Sequence, residues 1–366
     1  MLACTPPAQV SGTPAHESLQ RARAEGIHIF GAGAFARSVA AAARAHGVTV
    51  HAFLSSTQQP QEGWSGIPIR RVDASPRPRC PTWVGIFNRE AHSDYSSLHR
   101  YLRMTLPEAD IVWPQTFYPC LEKQLGWQYW LHPVDDYAAH RPEWERVRAL
   151  LDDEDSRRCF DGILEFRRSA HADSPMPGSD MQYLPDWLQT HISAPLRMVD
   201  AGAFRGETVR AIGAKTAVEH AWTFEPDATN YAELIGYLAQ WPVPVTHVPA
   251  GLSNCAHKAG FSAGLGESSR AEQGGDVQVA MVSLDDCLHL ERINFLKLDV
   301  EGSELAALHG ARATLLRERP LLAIAGYHRW DDLWRIPAFI RELDLDYRLR
   351  LRLHAHNTFD CVFYAY

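Results

Sequence analysis

The stretch Met198-Val199-Asp200-Ala201-Gly202-Ala203-Phe204-Arg205-Gly206-Glu207-Thr208 constrains the fold of this chain more than any other. An apolar run closes on an acid, a short turn carries two glycines, and a helix-forming segment follows. That order describes a buried strand, a turn whose backbone a ligand can approach with no Cβ in the way, and the start of a helix. It belongs at the carboxyl edge of a parallel sheet. Trp222-Thr223-Phe224-Glu225-Pro226 is a second strand ending in an acid, and Phe295-Leu296-Lys297-Leu298-Asp299-Val300-Glu301-Gly302 is a third. A carboxylate placed as Glu225 is can accept both hydroxyls of a ribose. Asp200, Glu225 and Asp299, each at a strand end, predict one pocket for a nucleotide-like cofactor.

The rest of the C-terminal half keeps the α/β alternation. Strands are predicted at 196–200, 221–225, 245–248, 278–282, 294–299 and 321–325, with helices over 207–214, 228–239, 303–317 and 332–343. From Tyr347 to His354 the pattern changes to strict alternation, with Leu349, Leu351 and Leu353 on one face and Arg348, Arg350 and Arg352 on the other. That is a half-buried strand, whose arginines are either a solvated face or a clamp for an acidic substrate. Cys361-Val362-Phe363-Tyr364 supplies a last strand, so the chain closes on an antiparallel hairpin added to a parallel sheet.

The N-terminal third repeats the theme on a smaller scale. Ile27-His28-Ile29-Phe30 reads as a strand, Gly31-Ala32-Gly33-Ala34-Phe35-Ala36 as a G-x-G-x-x-A turn, and the segment after it as a helix. The next strand ends in Leu54-Ser55-Ser56-Thr57, with no acid for a ribose, so a structural or docking domain is expected ahead of a dinucleotide site. Between the two α/β regions, helices are predicted over 144–151 and 156–168, with Asp155 or Ser156 capping the second. The predicted organisation is a loose tail over 1–20, a Rossmann-like α/β domain over 21–128, a helical connector over 129–185 and the larger α/β domain over 186–366.

A chain of 366 residues favours two domains, and 46% hydrophobic residues supply full cores. The net charge of −8, with no block of Lys or Arg, argues against nucleic acid as a partner. Seven cysteines without a C-x-x-C pair exclude a disulfide framework or zinc ribbon and make a reducing cytoplasm the expected compartment. No apolar run approaches the ~18 residues needed to span a bilayer, so no membrane association is expected.

Residues from about 185 to 366 resemble the FkbM family of S-adenosylmethionine-dependent methyltransferases. The resemblance rests on Val199-Asp200-Ala201-Gly202-Ala203 with Gly206-Glu207-Thr208, on Phe224-Glu225-Pro226, Gly251-Leu252-Ser253 and Ser283-Leu284-Asp285-Asp286, on Lys297-Leu298-Asp299-Val300-Glu301-Gly302-Ser303-Glu304, and on Tyr327-His328 and Phe363-Tyr364-Ala365. The Lys297 to Glu304 run is the most family-specific. The resemblance implies a seven-stranded class I methyltransferase sheet whose last strand is antiparallel, with S-adenosyl-L-methionine as cofactor. It places Asp200, Gly202, Ala203, Gly206 and Thr208 around the methionine part, Glu225 and Pro226 at the ribose, Leu252 and Ser253 near adenine, and Asp299 beside them. Many relatives carry Asn where this chain has Phe204, so one side-chain amide contact is absent.

Methyl transfer asks mainly for alignment, and a hydroxyl nucleophile gains from a general base. His328, just past the strand at 321–325, is the first candidate base and Asp299 the second. Asp299 and Glu301 lack a visible full set of hard-cation ligands, so no metal is expected. The implied activity is O-methylation of a sugar or natural-product hydroxyl, on a small-molecule or glycan acceptor. The alternatives are an NAD(P)-dependent oxidoreductase using Gly31 to Ala36 and a non-catalytic binding protein on the same fold.

Overall fold

The computed structural model describes residues 14–57, 63–73, 80–169, 173–262, 270–271, 275 and 277–366. The chain divides into two compact units, Met1–Ala139 with Ile163–Pro175, and His140–Gly162 with Met176–Tyr366.

The first unit opens on helix α1 (Pro14–Glu25), which buries Leu19 and Ala22. This corrects the expected loose tail from residue 14 onward; residues 1–13 lie outside the described part. Strand β1 (Ile27–Phe30), helix α2 (Ala34–Ala45), strands β2 (Val50–Ser55), β3 (Ile69–Arg71) and β4 (Thr82–Val84), helix α3 (Tyr95–Thr105), strand β5 (Ile111–Val112) and helices α4 (Pro114–Leu125) and α5 (Val134–Ala139) follow. The strands form one sheet in the order β3-β2-β1-β4-β5, with every pair parallel. The winding reverses between β1 and β4, the arrangement of a Rossmann-like half. The glycine motif has a packing reason here: a Cβ on Gly85 would lie 2.7 Å from the Cβ of Ala36, so small residues let α2 settle close to the sheet.

Helices α6 (Arg141–Leu150) and α7 (Glu154–Arg168) come next, then α8 (Asp186–Gln189), β6 (Leu196–Ala201), α9 (Glu207–Lys215), β7 (Val218–Phe224), α10 (Ala228–Leu238) and β8 (Val245–Val248). The chain continues through β9 (Gly251–Leu252), β10 (His257–Ser262), β11 (Arg270–Ala271), β12 (Val277–Val282), α11 (Leu284–Cys287), β13 (Phe295–Leu298), α12 (Glu304–His309) and α13 (Arg312–Glu318). It ends with β14 (Leu321–Ala325), α14 (Asp332–Glu342), β15 (Leu349–Leu353) and β16 (Cys361–Ala365). Seven strands form the main sheet of the second unit in the order β15-β16-β14-β13-β6-β7-β8. Only β16 runs against the others, pairing antiparallel with both β14 and β15. This is the expected seven-stranded α/β sheet with a terminal antiparallel hairpin.

Two local expectations change. The predicted helix over 303–317 is two helices, because a Cβ at Gly310 would stand 2.0 Å from the Ser253 carbonyl oxygen and the chain must bend around that contact. The strand predicted at 278–282 forms, as β12, but joins a separate four-stranded sheet of order β11-β10-β12-β9.

The alternation over 349–353 gives the burial it predicts, with the leucines inside. Arg350 and Arg352 are largely covered, whereas Arg348 stays exposed, and all three are paired with acids. Asp152 lies 2.8 Å from Arg348, and Asp153 lies 2.9 Å from Arg350 and 2.7 Å from Arg352. The acids that interrupt α6 and α7 thus neutralise the strand. Asp153, rather than Asp155 or Ser156, accepts the Ser156 N–H at the start of α7.

Candidate functional site

All the elements of the site belong to the second unit, at the carboxyl ends of β6, β7 and β13. Gly202 has φ +68°, and a Cβ there would sit 1.8 Å from the Asp299 carbonyl oxygen. Only glycine allows the first turn to lie against the turn after β13. Gly202 and Ala203 both donate their N–H groups to the Phe224 carbonyl, at 3.0 and 3.1 Å, which binds the first turn to the end of β7. Asp200, Glu225 and Asp299 are therefore gathered along one edge by contacts between the turns themselves.

Each acid has a different environment. Asp200 is fully buried, 2.9 Å from Lys297 Nζ, and that lysine is itself 2% exposed. Lys297 also donates to the carbonyls of Ala201 at 3.1 Å and Gly202 at 2.7 Å, and lies 5.1 Å from the centre of the Tyr183 ring. Burial pulls the ammonium toward neutrality, but Asp200 and Asp299 outweigh it and hold its pKa above the ordinary value. Asp200 is therefore paired with Lys297 close to the turn.

Glu225 is 5% exposed. Its Oε2 accepts from the Phe204 N–H and its Oε1 from the Asp227 N–H, both at 2.9 Å. Burial raises its pKa to about 7 against the pull of those two hydrogen bonds. A carboxylate has about four acceptor positions, so each oxygen keeps one for a further donor. The Pro226 side chain lies 3.6 Å from where a Cβ on Gly251 would stand, which brings the Leu252–Ser253 segment beside the end of β7. Leu252 is buried and Ser253 is 6% exposed. Gly206 caps α9 with φ +90°, and Thr208 lies half-buried in its first turn.

Asp299 accepts from the Tyr183 hydroxyl at 2.5 Å and from the Tyr327 hydroxyl at 3.4 Å, and its side chain is 22% exposed. His328 is fully buried, with Nδ1 2.8 Å from Glu304 and Nε2 3.4 and 3.5 Å from Asp299 and Glu301. Burial lowers its basicity, but Glu304 and Glu301 outweigh that and hold its pKa well above the usual value. The two candidate bases, His328 and Asp299, thus lie 3.4 Å apart. Glu304 does not cap its helix in the ordinary way: its Oε1 accepts from the Val300 N–H at 2.8 Å and so closes the turn from within.

Tyr183 had no sequence signal. It sits in the loop before α8, inside the segment expected to be a helical connector, and reaches Asp299 across 116 residues of chain. Asp285, in the Ser283 to Asp286 run, accepts the N–H groups of Ala313 and Thr314 and anchors the start of α13.

Phe204 has φ +49°. Asn tolerates this left-handed region far better than an aromatic residue. Phe204→Asn is expected to stabilise the protein by about 0.5–1 kcal/mol, read as a rise in Tm. A fall in Tm would mean that the ring's contact with Arg205, 4.7 Å from the ring centre, outweighs the strain.

Residues 200–351 match the model of the methyltransferase FkbM domain. Among solved structures, the chain is similar to a crystal structure of methyltransferase FkbM from Methylobacillus flagellatus KT, with TM-score 0.72 and 21% identity over 97% of this chain and 94% of that one. At that identity the likeness speaks for the fold. The N-terminal domain of human METTL16 in complex with SAH aligns at TM-score 0.31 and 14% identity, over 63% of this chain and 92% of that one, and carries no weight here. No curated protein matches. The glycine turn and the acids at the strand ends thus fall within the stretch, residues 200–351, that is similar to the methyltransferase FkbM domain.

Proposed function

We propose that the second unit binds S-adenosyl-L-methionine and methylates an oxygen, with a sugar or natural-product hydroxyl on a small-molecule or glycan acceptor as substrate. The observation that carries this reading is Glu225. Its carboxylate is fixed at the end of β7 by two backbone N–H groups and keeps one acceptor position on each oxygen. That is the requirement for holding the two hydroxyls of a ribose. The Gly202 turn, closed against Asp299 where any Cβ would clash, suits the methionine part. When bound, the cofactor supplies an activated methyl on a sulfonium. The chain's own tasks are to orient the acceptor and receive its proton, and Asp299, positioned by Tyr183 and Tyr327, is assigned the second.

Cysteines outside any disulfide, among the described residues Cys80, Cys120, Cys159, Cys255, Cys287 and Cys361, favour a cytoplasmic setting. Among the described residues no helix is long and apolar enough to cross a membrane.

Calorimetry with S-adenosylhomocysteine tests the reading. Two hydrogen bonds to a charged acceptor contribute about 3 kcal/mol together, so Glu225→Ala is expected to weaken binding by about 100-fold. Unchanged affinity removes the ribose assignment. Binding of NADH without S-adenosylhomocysteine returns the oxidoreductase alternative.

The same carboxylate predicts a pH dependence. With a pKa of about 7 it is largely protonated at pH 6 and largely ionised at pH 8. Only the ionised form accepts freely from both hydroxyls. Affinity is therefore expected to rise about tenfold from pH 6 to pH 8 and then level off. Glu225→Gln removes the titrating group and leaves a flat profile.

A further inference from the structure

The turn after β13 holds more charge than methyl transfer requires. Asp299, Glu301, Glu304 and His328 form one cluster, and ligand atoms of Asp299, Glu304 and His328 all lie within 4.8 Å of one another. Asp332 adds a further buried carboxyl group nearby. Arg329, on the same loop, is turned away to donate Nε to the Gly302 carbonyl at 2.6 Å.

We propose that this cluster is a binding site for one divalent cation of the Mn²⁺ or Zn²⁺ kind, ligated by His328 Nε2, Asp299 Oδ1 and Glu301 Oε1, with Glu304 orienting the imidazole through Nδ1. Three observations support it. The first is spacing: Nε2 lies 3.4 Å from Asp299 Oδ1 and 3.5 Å from Glu301 Oε1. Two ligand atoms on a tetrahedral ion with bonds of ~2.1 Å stand ~3.4 Å apart. The second is the partner of the other ring nitrogen. Glu304 Oε1 lies 2.8 Å from Nδ1, the carboxylate–histidine arrangement that fixes ring orientation behind a metal.

The third is an orphaned atom. Glu301 Oε2 is buried without a hydrogen-bond partner, on the carboxylate whose Oε1 is the proposed ligand. Buried carboxylate oxygens are normally paired or bound to metal. One imidazole among carboxylates suits Mn²⁺ or Zn²⁺ better than Ca²⁺ or Mg²⁺, which prefer oxygen-only shells. Ligation uses Asp299 Oδ1 and leaves Oδ2, the oxygen that accepts from Tyr183, for the proton-accepting role proposed above.

The test uses the full chain, stripped with a chelator and dialysed against Mn²⁺, Zn²⁺ or Mg²⁺, with bound metal measured by elemental analysis. One equivalent of Mn²⁺ or Zn²⁺ per chain is expected, with much weaker retention of Mg²⁺. Substitution with Co²⁺ should give visible absorption bands that are lost in His328→Gln. Glu304→Gln, which changes only the orienting partner, should weaken binding 10- to 100-fold. Glu301→Gln, at a side chain 11% exposed, serves if the fully buried substitutions fail to fold. Glu225→Ala should bind metal normally, which separates this site from the ribose assignment. No retained metal, or retention that His328→Gln and Glu301→Gln leave unchanged, overturns the proposal.

Discussion

Lys297→Met is expected to destabilise the protein by about 3–5 kcal/mol, the loss typical of removing one member of a buried ion pair. The lysine sits in β13 between β6 and β14, where both faces of the sheet are covered. Its ammonium is the cation against Asp200, at 2.9 Å, and it ties down the carbonyls of Ala201 and Gly202 in the first turn. Methionine fills a similar volume but leaves the Asp200 carboxylate buried without a counter-charge. The double change Asp200→Asn with Lys297→Met should recover much of the loss, because the uncompensated charge is gone. Denaturant unfolding measures both. A single-variant loss under about 1 kcal/mol would mean that the charge pair does little to hold the turn.

Asp299→Asn is expected to lower turnover by about 10²- to 10⁴-fold, the usual contribution of a general base, while leaving S-adenosylhomocysteine affinity within a few-fold. Asparagine keeps the shape and can still accept from Tyr183, but it takes no proton. Steady-state kinetics separate the outcomes: the loss should fall on kcat rather than on KM. Tyr183→Phe removes the 2.5 Å hydrogen bond that positions the carboxylate and should produce a smaller loss of the same kind. If Asp299→Asn keeps full turnover, proton removal occurs elsewhere.

How much of this was legible in the chain differs from element to element. The strand ends at Asp200, Glu225 and Asp299 were readable because an apolar run closing on an acid is a local pattern. The hairpin of β15 and β16 was readable because period-two alternation names its buried face before any partner is known. The destination of β15's arginines was not readable. Asp152 and Asp153 lie about two hundred residues earlier, and their separation from Arg348, Arg350 and Arg352 is closed only by folding. The break at Gly310 also depends on a distant neighbour, the Ser253 carbonyl. The start of α1 was hidden by a short, polar helix whose stability comes from burying Leu19 and Ala22.

The sequence alone determined the α/β class, most of the succession of strands and helices along the larger domain and the identity of the acids at its edge. Those follow from hydrophobic period, glycine position and residue type, all local properties. Tertiary structure alone decided what each acid does. It buried Asp200 with Lys297, gave Glu225 two backbone donors, left Asp299 partly buried in contact with Tyr183, and enclosed His328 among carboxylates. A side chain's charge state depends on its burial and on the charges within a few ångströms, and those neighbours come from turns that only the folded sheet brings together.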